Sequence, residues 1–253
     1  MATIEETLPL ITFVCYVGGT SGQQIINTLQ ESKAFARYDS IDISDTGARY
    51  RFPYWPFTEK QYLTRLPRQD ITEISPGPTQ FIHTEENRQW LRAQSWDYFT
   101  KRWNDSALLD LDEVVAEKQQ LLFHTHLDNK LLNWMLPEAK KLFMLTKNSY
   151  FGVRADAVKN SEKHPTAPDK LLRYIAQRTA YHVHWSREVD FNYPNSKTFY
   201  WSDLITDDKI AHDRCLADIM KWYSVIMDQQ ELANAWKGTC EYVSAQRQLG
   251  FLF

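Results

Sequence analysis

The sequence predicts an α/β protein built on a mostly parallel sheet. Two observations point there. Four apolar runs, at 8–17, 119–127, 141–146 and 198–205, read as strands buried on both faces, and helical patterns separate them. The glycines, eight in 253 residues, gather at Gly18, Gly19 and Gly22, between the first run and a helical pattern. That is the opening half of a βαβ unit. The length suits one core without disulfides or metal, so residues 1–253 are read as a single domain, with 207–253 its helical C-terminal part.

Composition excludes several classes. With 43% apolar and 24% charged residues the chain reads as globular. Lysine plus arginine is 29 and aspartate plus glutamate 32, a net charge of -3, which argues against a general nucleic-acid binder. Mean hydropathy is -0.51, and no apolar run approaches the ~20 residues of a membrane span. Met1–Glu6 lacks the basic opening of a signal peptide. Cys15, Cys215 and Cys240 are odd in number and far apart, with neither zinc spacing nor a disulfide framework. A cytoplasmic, metal-free protein without nucleic-acid or membrane partners is therefore expected.

Leu8–Val17 (LPLITFVCYV) is the first strand, and Gln23–Ser32, with Ile25, Ile26 and Leu29 on one face, the first helix. Tyr38–Ile43 alternates like a short strand, while Phe52–Phe57 and Ser75–Pro78 read as loops. Thr84-Glu85-Glu86-Asn87 opens a helix carrying Trp90, Leu91, Trp96, Phe99 and Trp103. Leu111–Lys118 is helical, Gln119–Leu127 the second buried strand, and Asn129–Leu136 a short helix stopped by Pro137. Lys141–Thr146 is the third strand, Ser149–Lys159 a helix, and Pro168 to Asp190 a long aromatic helix. Thr198–Ile205 is the fourth strand. Asp207–Gln248 is helical with a break near Met227-Asp228.

In such sheets ligands sit beyond the carboxyl ends of the strands. Three segments lie there. Gly18–Gly22 suits an anion: glycines let successive N–H groups converge, Thr20 and Ser21 add hydroxyl donors, and the helix beginning near Gln23 adds its positive end. A tight turn that binds nothing is the alternative. His124 and His126, two apart at a strand end, share a face. Metal ligation, an ordinary polar strand end and a general base all stay open for them. Lys147-Asn148, with Arg154 further on, suits a second phosphate or is simply a solvated basic helix start. His182 and His184 do not meet on a helix and read as structural, and the aromatics from Trp90 to Trp103 as core.

In order and spacing these segments resemble the cytosolic-type sulfotransferases, which use 3′-phosphoadenylyl sulfate (PAPS). That family has a strand leading into a modified P-loop, Lys/Arg-Ser-Gly-Thr-Thr, where this chain has Val17-Gly18-Gly19-Thr20-Ser21. Its next strand ends Lys-Thr-His-Leu-Pro, matched here by His124-Thr125-His126-Leu127-Asp128. A later strand followed by Arg-Asn corresponds to Lys141–Thr146 with Lys147-Asn148, and Phe199–Leu204 resembles a late Tyr-Glu-Asp-Leu strand. Trp236-Lys237-Gly238 faintly echoes a C-terminal Arg-Lys-Gly element.

The resemblance implies a three-layer P-loop-type fold, its mainly parallel sheet flanked by helices, and transfer of a sulfonate from PAPS to an acceptor hydroxyl or amine. Gly18, Gly19, Thr20, Ser21, Gly22 and Gln23 would hold the 5′-phosphosulfate. Lys147 and Asn148, with Arg154 nearby, would hold the 3′-phosphate. His126 would be the base and His124, if protonated, would stand in for the family's lysine. The acceptor would be a small molecule or a glycan. Val17, His124 and Ala155 occupy positions where the family has a cation, a lysine and a serine. They leave open a second reading: a catalytically inactive sulfotransferase-fold protein serving as a binding or structural subunit, in a homo-oligomer or with an assembly partner.

Overall fold

The computed structural model describes residues 2–16, 22–37, 41–42, 49–50, 84–104, 110–125, 133–145, 176 and 193–248. Expected elements at 52–78, 149–159 and 168–190 lie outside these residues, apart from Ala176, which is helical.

The chain opens with a short helix, α1 (Ile4–Thr7), closed by a reciprocal capping box. Thr3 Oγ1 accepts from the Glu6 amide, and the Glu6 carboxylate accepts from the Thr3 amide. A 3₁₀ turn (Leu8–Leu10) precedes β1 (Ile11–Cys15), so the first strand is shorter than the 8–17 run. Pro9 in the first turn explains this, since a proline cannot donate to a sheet ladder. Then come α2 (Gly22–Leu29), the antiparallel pair β2 (Ile41–Asp42) and β3 (Arg49–Tyr50), α3 (Glu85–Asn104), α4 (Leu111–Ala116), β4 (Leu121–Thr125) and β5 (Lys140–Leu145). The chain continues with β6 (Ser196–Tyr200), α5 (Trp201–Leu204), α6 (Lys209–Tyr223) and α7 (Gln229–Gln248).

The 198–205 run was expected to be strand throughout. Its second half is helix α5, because Trp201 and Leu204, three apart, both bury on one helical face. The break near 227 holds: α6 ends on a left-handed Ser224, and α7 restarts with Asp228 accepting from the Glu231 amide. Asp110 caps α4 in the same way, accepting from the amides of Asp112 and Glu113.

Strands β4, β1, β5 and β6 form one sheet in that order, every pair parallel. All five residues of β1 are buried, as a central strand covered on both faces requires. Phe13, Phe123 and Phe143 are fully buried, and the Phe13 and Phe123 rings lie 5.7 Å apart. Alternation along β5 separates two lysines. The Lys140 ammonium lies 4.9 Å from the Tyr223 ring of α6. Lys141 points the other way and donates to the carbonyls of Leu136 (2.6 Å) and Pro137 (3.3 Å). That turn is tied to α3 by Arg92, which donates to Met135 O at 2.7 Å and pairs with Glu138. Helices therefore flank both faces, and α2 packs along α7, where the Thr28 and Thr239 hydroxyls meet at 3.5 Å. No described helix is long and apolar enough to cross a membrane.

Candidate functional site at the carboxyl end of the sheet

The strand order marks where a ligand crevice is expected. From β1 the chain crosses to β4 on one side, and from β5 it proceeds to β6 on the other. Connections leaving β1 and β5 thus diverge, and the space beyond two such carboxyl ends is where open α/β sheets bind ligands. The segment after β1 contains Gly18, Gly19, Thr20, Ser21 and Gly22. The segment after β5 contains Lys147 and Asn148. On the far side of β1, β4 ends at Thr125, opposite Cys15, and His126 follows it. Neighbouring strands lie about 4.8 Å apart, so the three segments leave the sheet within roughly 10 Å of one another.

Gly22 is the first residue of α2, and Gln23 the second. The Tyr16 ring, buried just past β1, sits against Gly22 so closely that a methyl group there would run into it. Gly22 is thus required by close approach between strand end and helix start, and Gly18 and Gly19 remain the loop's candidates for a converging amide nest. His124 lies within β4, level with Val14 of β1. Gly18, Gly19, Thr20, Ser21, His126, Lys147, Asn148 and Arg154 lie outside the described residues, as do His182 and His184. The topology brings the strands that carry these candidates together. Lys237-Gly238 falls inside helix α7, with Lys237 exposed and Gly238 facing Gln24 of α2, so that pair belongs to a helix contact and not to a loop.

Beyond β6, Trp201 and Leu204 are buried and the Ser202 hydroxyl is buried without a hydrogen-bond partner among the described residues. The Leu204 carbonyl meets Nδ1 of His212 at 2.6 Å. Burial lowers the His212 pKa against the opposing pull of that carbonyl. It also pushes up the Cys15 thiol and the Tyr223 hydroxyl, and brings Lys141 down to about 8. The sequence reading singled out neither Lys141 nor His212. Lys141 heads the apolar run 141–146, where a lysine reads as the polar start of a strand, so its burial is not signalled by the sequence.

At the opposite end of the sheet a cleft of about 620 Å³ is lined by Glu31, Lys33, Arg37, Asp110, Glu113 and Glu231, among others. Its most buried carboxylate is already used. Glu231 accepts from the amides of Lys33 (3.0 Å) and Asp228 (2.8 Å), fastening the turn after α2 to the start of α7. Among the described residues no cluster of His, Cys, Asp and Glu has the makings of a metal site.

No family model matches the chain, and no curated protein matches it. Among solved structures it is similar to the sulfotransferase domain from the curacin biosynthetic pathway. The identity is 11%, the match covers 88% of this chain and 76% of that one, and the TM-score is 0.38, a level of likeness that assigns neither family nor activity.

Proposed function

We propose that the chain is a sulfotransferase-like protein that takes PAPS in the crevice beyond β1 and β5 and transfers its sulfonate to an acceptor of small-molecule or glycan type. The observation that carries this reading is the divergence of connections at β1 and β5. The glycine-rich segment leaves one strand and Lys147-Asn148 leaves the other. Gly18, Gly19, Thr20 and Ser21 grip the 5′-phosphosulfate through backbone amides and hydroxyls at the start of α2. Lys147 and Asn148, with Arg154 nearby, hold the 3′-phosphate. His126, delivered by the strand on the other side of β1, takes the acceptor's proton. The acceptor oxygen or nitrogen then bonds to sulfur, the sulfur–oxygen bond of the phosphosulfate breaks, and adenosine 3′,5′-bisphosphate leaves. His124, when protonated, neutralises charge on that leaving phosphate.

A second reading rests on Val17, which stands where the family's P-loop has a cation. In it the crevice binds nucleotide weakly or not at all, and the chain serves as a subunit of an assembly. Calorimetry with adenosine 3′,5′-bisphosphate separates the two. The first requires measurable heat with the wild type and none with Gly19→Asp, whose carboxylate would enter the amide nest. Absence of heat from the wild type at millimolar nucleotide overturns the cofactor assignment.

A further inference from the structure

His212 occupies a junction. Its ring is fully buried and is held by Leu204, the last residue of α5, four residues beyond β6. On the other side the Trp236 ring of α7 lies 5.2 Å away at 59°. A carbonyl only accepts, so at 2.6 Å from Leu204 O the Nδ1 atom carries the hydrogen. In the neutral ring Nε2 is then a bare lone pair, and it is buried without a partner among the described residues. That lone pair already goes without a partner, and protonation adds to the cost instead of relieving it. An added N–H in the same place has no acceptor, and its positive charge has no water.

The surrounding charges do not rescue the protonated form. On α6 itself, Lys209 and Asp213 flank the ring and are paired with each other. The Lys209 ammonium also lies over Trp236, 5.8 Å from its centroid, so that face already carries a cation. Asp207, ahead of α6, is paired with Arg247 of α7. Lys237 of α7 pairs with Glu241, and Lys197 of β6 pairs with Asp218. Asp203 is half-buried on α5, the helix whose last carbonyl holds the ring.

We propose that His212 is a protonation-sensitive latch. Neutral, it joins the segment leaving β6 to the helix pair α6 and α7; protonated, it releases that pair from the sheet. The direction follows from linkage. The folded ring resists protonation, so the latched state is fully favoured above the ordinary histidine value of 6.5. It loses up to tenfold in population ratio for each pH unit below that value, until the folded ring itself takes a proton.

Hydrogen exchange of the full chain, corrected for intrinsic rates and followed from pH 7.5 to 5, tests this. Protection of amides in α6 and α7 should fall by up to tenfold per unit below about 6.5, while β1 and β5 keep theirs. In His212→Asn the amide nitrogen replaces Nδ1 as donor to Leu204 and cannot titrate, so the fall should vanish. If that variant does not fold, the imidazole proton resonances of the wild type decide alone. A His212 titrating at or above 6.5 in the folded protein overturns the latch. So does helix protection that is independent of pH, or that falls together with the strands.

Discussion

Lys141 gives the sharpest quantitative test of the fold. It is fully buried on a central strand, with its ammonium donating to the carbonyls of Leu136 and Pro137. Burial brings its pKa from 10.5 to about 8. Because the folded value lies below the unfolded one, the unfolded chain binds more protons between them, and stability rises with pH across that window. The whole shift corresponds to roughly 3 kcal/mol, of which about 1 kcal/mol falls between pH 8 and 9. Two buried groups act oppositely at higher pH: Cys15 and Tyr223, both pushed up by burial, withdraw stability as their unfolded counterparts ionise. The clean interval is therefore below the thiol's ordinary value of 9.0. Lys141→Met keeps the volume and removes the charge. Both carbonyls retain a donor, Leu136 from the Ala139 amide at 3.3 Å and Pro137 from Asn195 Nδ2 at 3.4 Å. The variant should thus be at least as stable as the wild type at pH 7, by about 1 kcal/mol after the lost hydrogen bonds are counted, and should lose most of the rise from pH 8 to 9, Lys140, whose pKa burial also lowers, keeping its own part. Urea unfolding at pH 7, 8 and 9 measures both. A variant that keeps the wild-type slope, or loses about 3 kcal/mol at neutral pH, refutes the buried-charge account.

Two further outcomes are expected. Gly22→Ala should destabilise the protein by about 1–3 kcal/mol in urea unfolding, because its methyl group meets the buried Tyr16 ring; unchanged stability would mean that strand end and helix start are not in contact. His126→Ala should lower sulfonate transfer by roughly 10²–10⁴-fold, while His124→Lys, charged at pH 8 where an ordinary imidazole is not, should retain or raise the rate there; equal turnover by wild type and His126→Ala would remove that residue from the mechanism.

The strands were legible because a parallel strand covered on both faces leaves a continuous apolar signature, as in ITFVC of β1 and KLFML of β5. The break between α6 and α7 was legible from local chemistry, since Asp228 and Glu231 cap as their spacing suggests. The α1 capping box, Thr3 with Glu6, carries the same signal in the sequence. Trp201–Leu204 misled for a physical reason. Four residues make a single helical turn, and two apolar residues three apart, with Ser202 and Asp203 between them, are too few to set a period against the strand that runs into them. The order β4-β1-β5-β6 was not legible at all, because it depends on which side each crossover takes. At the site, residue types and their place after strand ends came from the sequence. The divergence that makes β1 and β5 the pair to examine came from the structure. His212 was hidden because nothing local distinguishes a fully buried histidine from an exposed one on an amphipathic helix.

The amino end of the sheet is fixed by contacts that the proposed site at the other end does not use, so stability and the proposed chemistry can be separated experimentally. At the amino end the connections are fastened by groups that satisfy backbone atoms directly. Lys141 holds the turn before β5, Asn195 reaches the same turn, and Glu231 clasps the Lys33 amide. None of these contacts involves the segments that leave the carboxyl ends. A sheet so fixed from behind can hold the start of each carboxyl-end segment in place while the residues beyond vary, which is the arrangement in which loops on a rigid scaffold carry function. Substitutions behind the sheet, such as Lys141→Met, should therefore move unfolding free energy and leave nucleotide affinity alone. Gly19→Asp should do the reverse. Gly22 is the exception, since it joins the strand end to the start of the very helix that closes the glycine segment. Its alanine variant should lose stability and nucleotide affinity together. A Gly22→Ala protein that unfolds more easily yet binds adenosine 3′,5′-bisphosphate as the wild type does would show that the helix start plays no part in holding the phosphate.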